Sequence, residues 1–135
     1  MGPQGMIADY LTAQRGKSFD LGKHDCFTFT NGAWQAMHGK GYADGFVGKY
    51  AGLGPKAFAR LMKTTFGAVR LPDALDIGLT RVVGFPPRGA LVITKNAQPY
   101  LTGFALGICC GVTSVFLNGS GVIHLSTDET CGAWV

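Results

Sequence analysis

The sequence contains few charged residues and no long uninterrupted apolar run. Asp, Glu, Lys and Arg make up 15% of the 135 residues, whereas 47% are hydrophobic. The 12 basic residues outnumber the 8 acidic ones but stand singly along the chain, so we expect no clustered basic face for nucleic acid. Gly, Pro, Asn and Lys interrupt residues 92–122, which leaves no stretch of the ~20 apolar residues that a membrane-spanning helix requires.

The N-terminal segment also lacks the pattern of a secretory signal. Residues 1–6 have no basic region followed by an apolar run and a small-residue cleavage site, so we expect synthesis in the cytosol. With 135 residues, the chain is most simply one domain over 1–135, able to bury about two-thirds of its unfolded surface. An apolar composition with so little surface charge indicates a subunit of a larger assembly.

The four cysteines show none of the recurring spacings of metal sites. They are Cys26, Cys109, Cys110 and Cys131, and no pair forms a C-x-x-C motif. If Cys109 and Cys110 lie on a strand, their side chains point to opposite faces. A metal site therefore requires one of this pair, with Cys109 as the candidate, to converge with Cys26 and Cys131, with or without His124. We keep this site as an alternative and otherwise expect no cofactor.

Residues 23–34 form a polar turn that leads directly into a helix. Asp25 is a good N-cap residue, which explains it better than a role as a catalytic acid. Cys26 then occupies the first helical position, where the positive end of the helix dipole favours the reactive thiolate. The alternative is an inert, buried cysteine, which is how most free cysteines behave. His24 precedes the cap, and we expect its side chain to face solvent.

Glycine and proline divide the first half of the chain into helices. Apolar residues recur at helical spacing, and turn or capping residues bound each segment. The predicted helices lie between Gly5 and Gly16, from Cys26 to about Met37, and from Pro55 to Gly67. Residues 41–54 contain five glycines and are expected to form a long loop, and residues 71–75 a single helical turn.

The sequence pattern of the second half of the chain is typical of an antiparallel sheet. Strand-forming segments occur at 90–94, 101–110, 111–117, 122–126 and 132–135, with a short extended piece at 81–83. Asn118-Gly119 predicts a hairpin turn between the third and fourth of these segments. Helices followed by an antiparallel sheet predict an α+β domain in which the second helix packs against the sheet. We expect Trp134 to be buried in the core.

Four motifs follow one another along the chain: Asp25-Cys26 at the start of a helix, Arg88-Gly89-Ala90 before a strand, Ala105-Leu106-Gly107-Ile108, and Val122-Ile123-His124-Leu125-Ser126. In this order they resemble motifs of the NlpC-type cysteine peptidases of cell-wall peptides, which have a papain-like α+β fold. In this resemblance Cys26 matches the nucleophile and His124 the third, orienting residue. Ala105 stands at the position of the base histidine, and an alanine cannot accept the proton of the thiol.

Over nearly its whole length the chain also resembles a small group of phage and prophage proteins encoded among tail genes. The features shared with them include a loop at Gly48-Lys49-Tyr50 and a last strand that ends in Ala133-Trp134-Val135. The resemblance implies a structural subunit of a phage tail tip or tail assembly with decayed peptidase machinery. Such a subunit is made in the host cytoplasm, enters the virion tail and contacts other tail proteins. The alternative is an active endopeptidase that cleaves peptidoglycan during entry, with Cys26 as nucleophile and His124 as base.

Overall fold

The computed structural model describes residues 3–17, 19–96, 102–118 and 121–135. Within these ranges four α-helices precede a five-stranded antiparallel sheet, which confirms the predicted α+β class. The helices are α1 (Pro3–Gln14), α2 (Cys26–His38), α3 (Pro55–Phe66) and α4 (Leu71–Gly78). The strands are β1 (Leu91–Thr94), β2 (Ala105–Cys109), β3 (Thr113–Asn118), β4 (Gly121–Ser126) and β5 (Gly132–Trp134).

The first three helices begin and end close to the positions that the sequence predicts. A capping box formed by Asp25 and Thr28 starts α2, and Gly39 ends it with φ = +81°. Glycine suits this left-handed position because it has no Cβ to clash with the backbone. Pro55 occupies the first turn of α3, and Gly67 ends that helix in the same left-handed conformation. These boundaries follow from local capping signals.

The fourth helix is longer than expected. The single turn predicted at 71–75 continues to Gly78, so that α4 has eight residues. Leu71, Ala74 and Leu75 lie on one face of α4, and each is only 2% exposed. Burial of this stripe supplies the stability that an isolated helix of this length lacks.

The strands form a meander whose last strand crosses to the opposite edge. Their order is β4-β3-β2-β1-β5, and every neighbouring pair is antiparallel. The pairing of Asn118 with Gly121 confirms the predicted hairpin between β3 and β4, while Gly119 in its turn lies outside the described residues. The predicted strand at 101–110 is confirmed only for β2, and Leu101 is also outside the described residues. The extended piece at 81–83 is reduced to a single bridge, Arg81 to Trp134.

The two faces of the sheet bury different clusters. On one face α2 lies over β2 and β3, and Leu106 and Ile108 join the main core between the helices and the sheet. Trp134 also belongs to this core and is 0% exposed, which confirms its predicted burial. On the other face Ala105 and Phe116 belong to a second cluster. Alternation of side chains along a strand therefore decides which motif residues can face α2.

No helix in the described part of the chain is long and apolar enough to cross a membrane. This agrees with the interrupted apolar pattern of the sequence.

Candidate functional site

A buried carboxylate holds the start of α2. Asp25 is 1% exposed and accepts hydrogen bonds from the N–H groups of Gly22 (2.7 Å) and Thr28 (2.9 Å) and from the hydroxyl of Tyr50. The Asp25 N–H in turn donates to Thr28 Oγ1 at 2.7 Å. The carboxylate thus joins the turn before α2, the first turn of α2 and the loop at 41–54. Its predicted role as an N-cap is confirmed.

The thiol of Cys26 lies in the interior, between the start of α2 and β2. Cys26 is 5% exposed, and a backbone hydrogen bond links it to Leu106. Burial, followed by the nearby charge of Asp25, raises the pKa of the Cys26 thiol to about 12. Backbone hydrogen bonds from Leu106, Phe27 and Cys26 itself act in the opposite direction but do not offset these effects. Cys26 is therefore a protonated thiol at neutral pH. Burial and the charge of Asp25 disfavour the thiolate more strongly than the helix dipole favours it.

Two tyrosines beside this site are the residues that the sequence reasoning missed. The hydroxyl of Tyr42 shares a 2.7 Å hydrogen bond with Thr30 Oγ1, and Thr30 Oγ1 also donates to the carbonyl of Cys26 at 2.7 Å. Burial raises the pKa of both Tyr42 and Tyr50, so neither hydroxyl can act as a base. The spacing of the aromatic residues at 42, 46 and 50 within the glycine-rich loop was the available signal.

His124 is placed far from the thiol. It lies exposed on β4, the edge strand, and its cross-strand neighbour on β3 is Val115. Cys26 contacts the backbone of β2 at Leu106, and β3 separates β2 from β4. Val115 pairs with both His124 and Ile108, so two strand spacings of about 4.8 Å place the backbones of His124 and Ile108 roughly 10 Å apart. Leu106 lies two residues further along β2 and is therefore more distant still. The structure therefore does not bring His124 and Cys26 together, and His124 is not a core histidine.

The position matched to the base histidine faces away from the thiol. Ala105 is 1% exposed and packs in the second cluster with Val92 and Phe116. Its neighbour Leu106 belongs to the main core with Cys26. Because adjacent side chains on a strand point to opposite faces, a longer side chain at 105 would extend away from α2.

His24 is less exposed than the sequence led us to expect. Its Nε2 is buried, and no hydrogen-bond partner for this atom occurs among the described residues. Burial and then the charge of Lys17 lower its pKa, against the opposing effect of Asp25. The imidazole of His24 is therefore largely neutral near pH 7. Because its Nε2 is buried, the prediction that this side chain faces solvent is wrong for that atom.

The cysteines do not converge. Cys109 lies in the second cluster, whereas Cys26 lies in the main core on the other face of the sheet. Cys110 follows the last residue of β2 and packs against a third cluster that includes Val115, so the two adjacent cysteines contact different clusters. Cys131 is exposed. Within the described ranges no three His, Cys, Asp or Glu side chains are grouped to hold a metal ion, and the alternative of a metal site has no support.

The comparisons with known proteins identify a family but no activity. The chain belongs to the family described as "Domain of unknown function (DUF6950)", whose model matches residues 4–135. No curated protein matches the chain. The resemblance to NlpC-type peptidases and to phage tail proteins therefore stays a prediction.

Replacing Asp25 tests the buried cap. We expect Asp25→Ala to lower the free energy of unfolding by about 2–4 kcal/mol, because it removes the N-cap and leaves buried donors without an acceptor. Asp20→Ala removes the same charge at an exposed position and is expected to change stability by less than about 0.5 kcal/mol. Urea denaturation of the two variants measures the difference. Equal losses in both would contradict the structural role of the Asp25 carboxylate.

Alkylation rates test the state of the Cys26 thiol. With a pKa of about 12, Cys26 holds on the order of a thousandfold less thiolate at pH 8 than a cysteine of ordinary pKa. We expect iodoacetamide to modify the exposed Cys131 first and Cys26 last, as followed by peptide mass spectrometry. The unfolded chain is the control, since its four cysteines should react at similar rates. Fastest modification of Cys26 in the folded protein would show an activated nucleophile.

Proposed function

We propose that this member of the DUF6950 family is a structural subunit of a phage tail tip or tail assembly, built on a degenerate NlpC-like peptidase fold. The observation that carries the proposal is a buried Cys26 thiol with a pKa of about 12 and no hydrogen bond to an imidazole within the described residues. The subunit is made in the host cytoplasm and becomes part of the virion tail.

The surroundings of Cys26 support a loss of peptidase chemistry. A cysteine nucleophile needs a lowered pKa or a base within hydrogen-bond reach. Here the negative charge of the neighbouring Asp25 carboxylate disfavours the thiolate. His124 lies two strands away, and Ala105 occupies the position of the base on the opposite face. A thiol that is 5% exposed also leaves little access for a peptide substrate.

Two adjoining loops offer a surface for assembly. We define the loop patch as Val83, Phe85 and Val112, which are 97%, 59% and 79% exposed. The two loops meet at Cys109, whose sulfur lies 3.6 Å from the carbonyl of Pro86 and 3.5 Å from the carbonyl of Gly111. Exposed apolar residues on adjoining loops are typical of protein–protein contacts, and we propose that the loop patch contacts a neighbouring tail protein.

Removing the thiol tests the proposal directly. We expect phage that carry Cys26→Ala to assemble and infect as the parent does, because a structural subunit does not use the sulfur. Plaque counts and electron microscopy of tails measure the two properties separately. Loss of infectivity with intact tails, together with loss of peptidoglycan cleavage by the purified protein, would instead establish the endopeptidase alternative.

Charging the loop patch tests its role in assembly. We expect Val83→Lys combined with Val112→Lys to leave the chain folded but to lower its incorporation into tails by about tenfold or more, the scale of one lost hot-spot residue. The matched control is Val69→Lys with Ile77→Lys, which charges two exposed apolar residues elsewhere. Quantitative mass spectrometry of purified particles gives the copy number. Equal incorporation of both double variants would argue against the loop patch as the interface.

A further inference from the structure

A large cleft opens at the end of α2 opposite to Cys26. Its volume is about 880 Å³, within the ~300–1,000 Å³ typical of sites for small molecules. The cleft lies between the C-terminal end of α2, α4 and the segment 88–90. Cys26 is not among the described residues that line the cleft, although Tyr42, which lies beside the thiol site, is one of them.

The inner wall of the cleft is apolar. Trp34 and Met37 of α2, Phe66 of α3 and Leu75 of α4 contribute to the lining. The indole of Trp34 is held in place by ring contacts, with centroid distances of 4.8 Å to His38 and 5.8 Å to Tyr42. A wall that three helices position in this way suits a hydrocarbon chain.

Two positively charged side chains lie beside the apolar wall of the cleft. Lys40 and Arg88 line the cleft and are exposed, and neither forms a salt bridge within the described part of the chain. None of the described lining residues is an Asp or a Glu. Val135, the last residue of the structure, also lines the cleft, but every charged side chain of the lining is basic. An apolar pocket with such side chains is complementary to a ligand that has an apolar body and one anionic end.

We propose that this cleft binds an amphipathic carboxylate of medium chain length. The hydrocarbon chain lies against Trp34, Met37 and Leu75, and the carboxylate lies between Lys40 and Arg88. This binding site is independent of the proposed tail function, so either proposal can fail without the other.

Calorimetric titration of the full chain with decanoate, below its critical micelle concentration, tests the proposal. We expect saturable binding that tightens roughly three- to fourfold for each added methylene from octanoate to dodecanoate. Decyltrimethylammonium, with the same chain and the opposite charge, is expected to bind at least about tenfold more weakly. Equal binding of the cation, or no saturable binding of decanoate, would overturn the proposal.

Paired variants separate a specific site from general adsorption. Lys40→Gln with Arg88→Gln should weaken decanoate binding by about tenfold or more, while Lys56→Gln with Arg60→Gln makes the same charge change on α3 and should leave it unchanged. Equal weakening in both pairs would overturn the assigned site. Saturable binding of an acidic, leucine-rich peptide without binding of decanoate would assign the cleft to a protein partner and would also overturn the proposal.

Discussion

The structure depends on the burial of one carboxylate. A buried charge is costly unless hydrogen bonds replace its hydration, and Asp25 meets this requirement with two backbone N–H groups and the hydroxyl of Tyr50. These bonds define the start of α2 and tie the loop at 41–54 to it. The same charge disfavours a thiolate at Cys26. The interaction that builds the helix start thus also makes its cysteine a poor nucleophile.

The pairing of the strands explains why Ala105 and His124 do not lie beside Cys26. Leu106 turns toward the core beneath α2, which leaves Ala105 on the far face. His124 belongs to an edge strand that another strand separates from β2. Strand pairing and side-chain alternation place these residues, and both are geometric constraints that a motif match does not contain.

The low charge content of the chain is reflected in apolar groups that remain exposed at its surface. With few charged residues to cover the surface, apolar groups remain accessible in the loop patch and in the cleft at the end of α2. The loop patch consists of exposed apolar side chains on two loops, which suits a protein neighbour. The cleft is concave and bordered by Lys40 and Arg88, which suits a small anionic amphiphile. The two surfaces therefore support separate roles.

Elements with local signals could be predicted from the sequence alone. The Asp25 cap, the left-handed Gly39, Pro55 at the start of α3 and the hairpin between β3 and β4 all follow from neighbouring residues. The helix α4 extends beyond the single turn that local signals predict, because its stability comes from buried contacts rather than from helix propensity.

The chemistry of the candidate site, in contrast, depends on contacts between segments that are distant in sequence. The position of Cys26 at the helix start was predictable, but its burial depends on β2 and on the loop that carries Tyr42 and Tyr50, both distant in sequence. The pKa of its thiol depends on that burial. Strand order likewise separates His124 from the thiol, since pairing between distant segments is not encoded in any one of them.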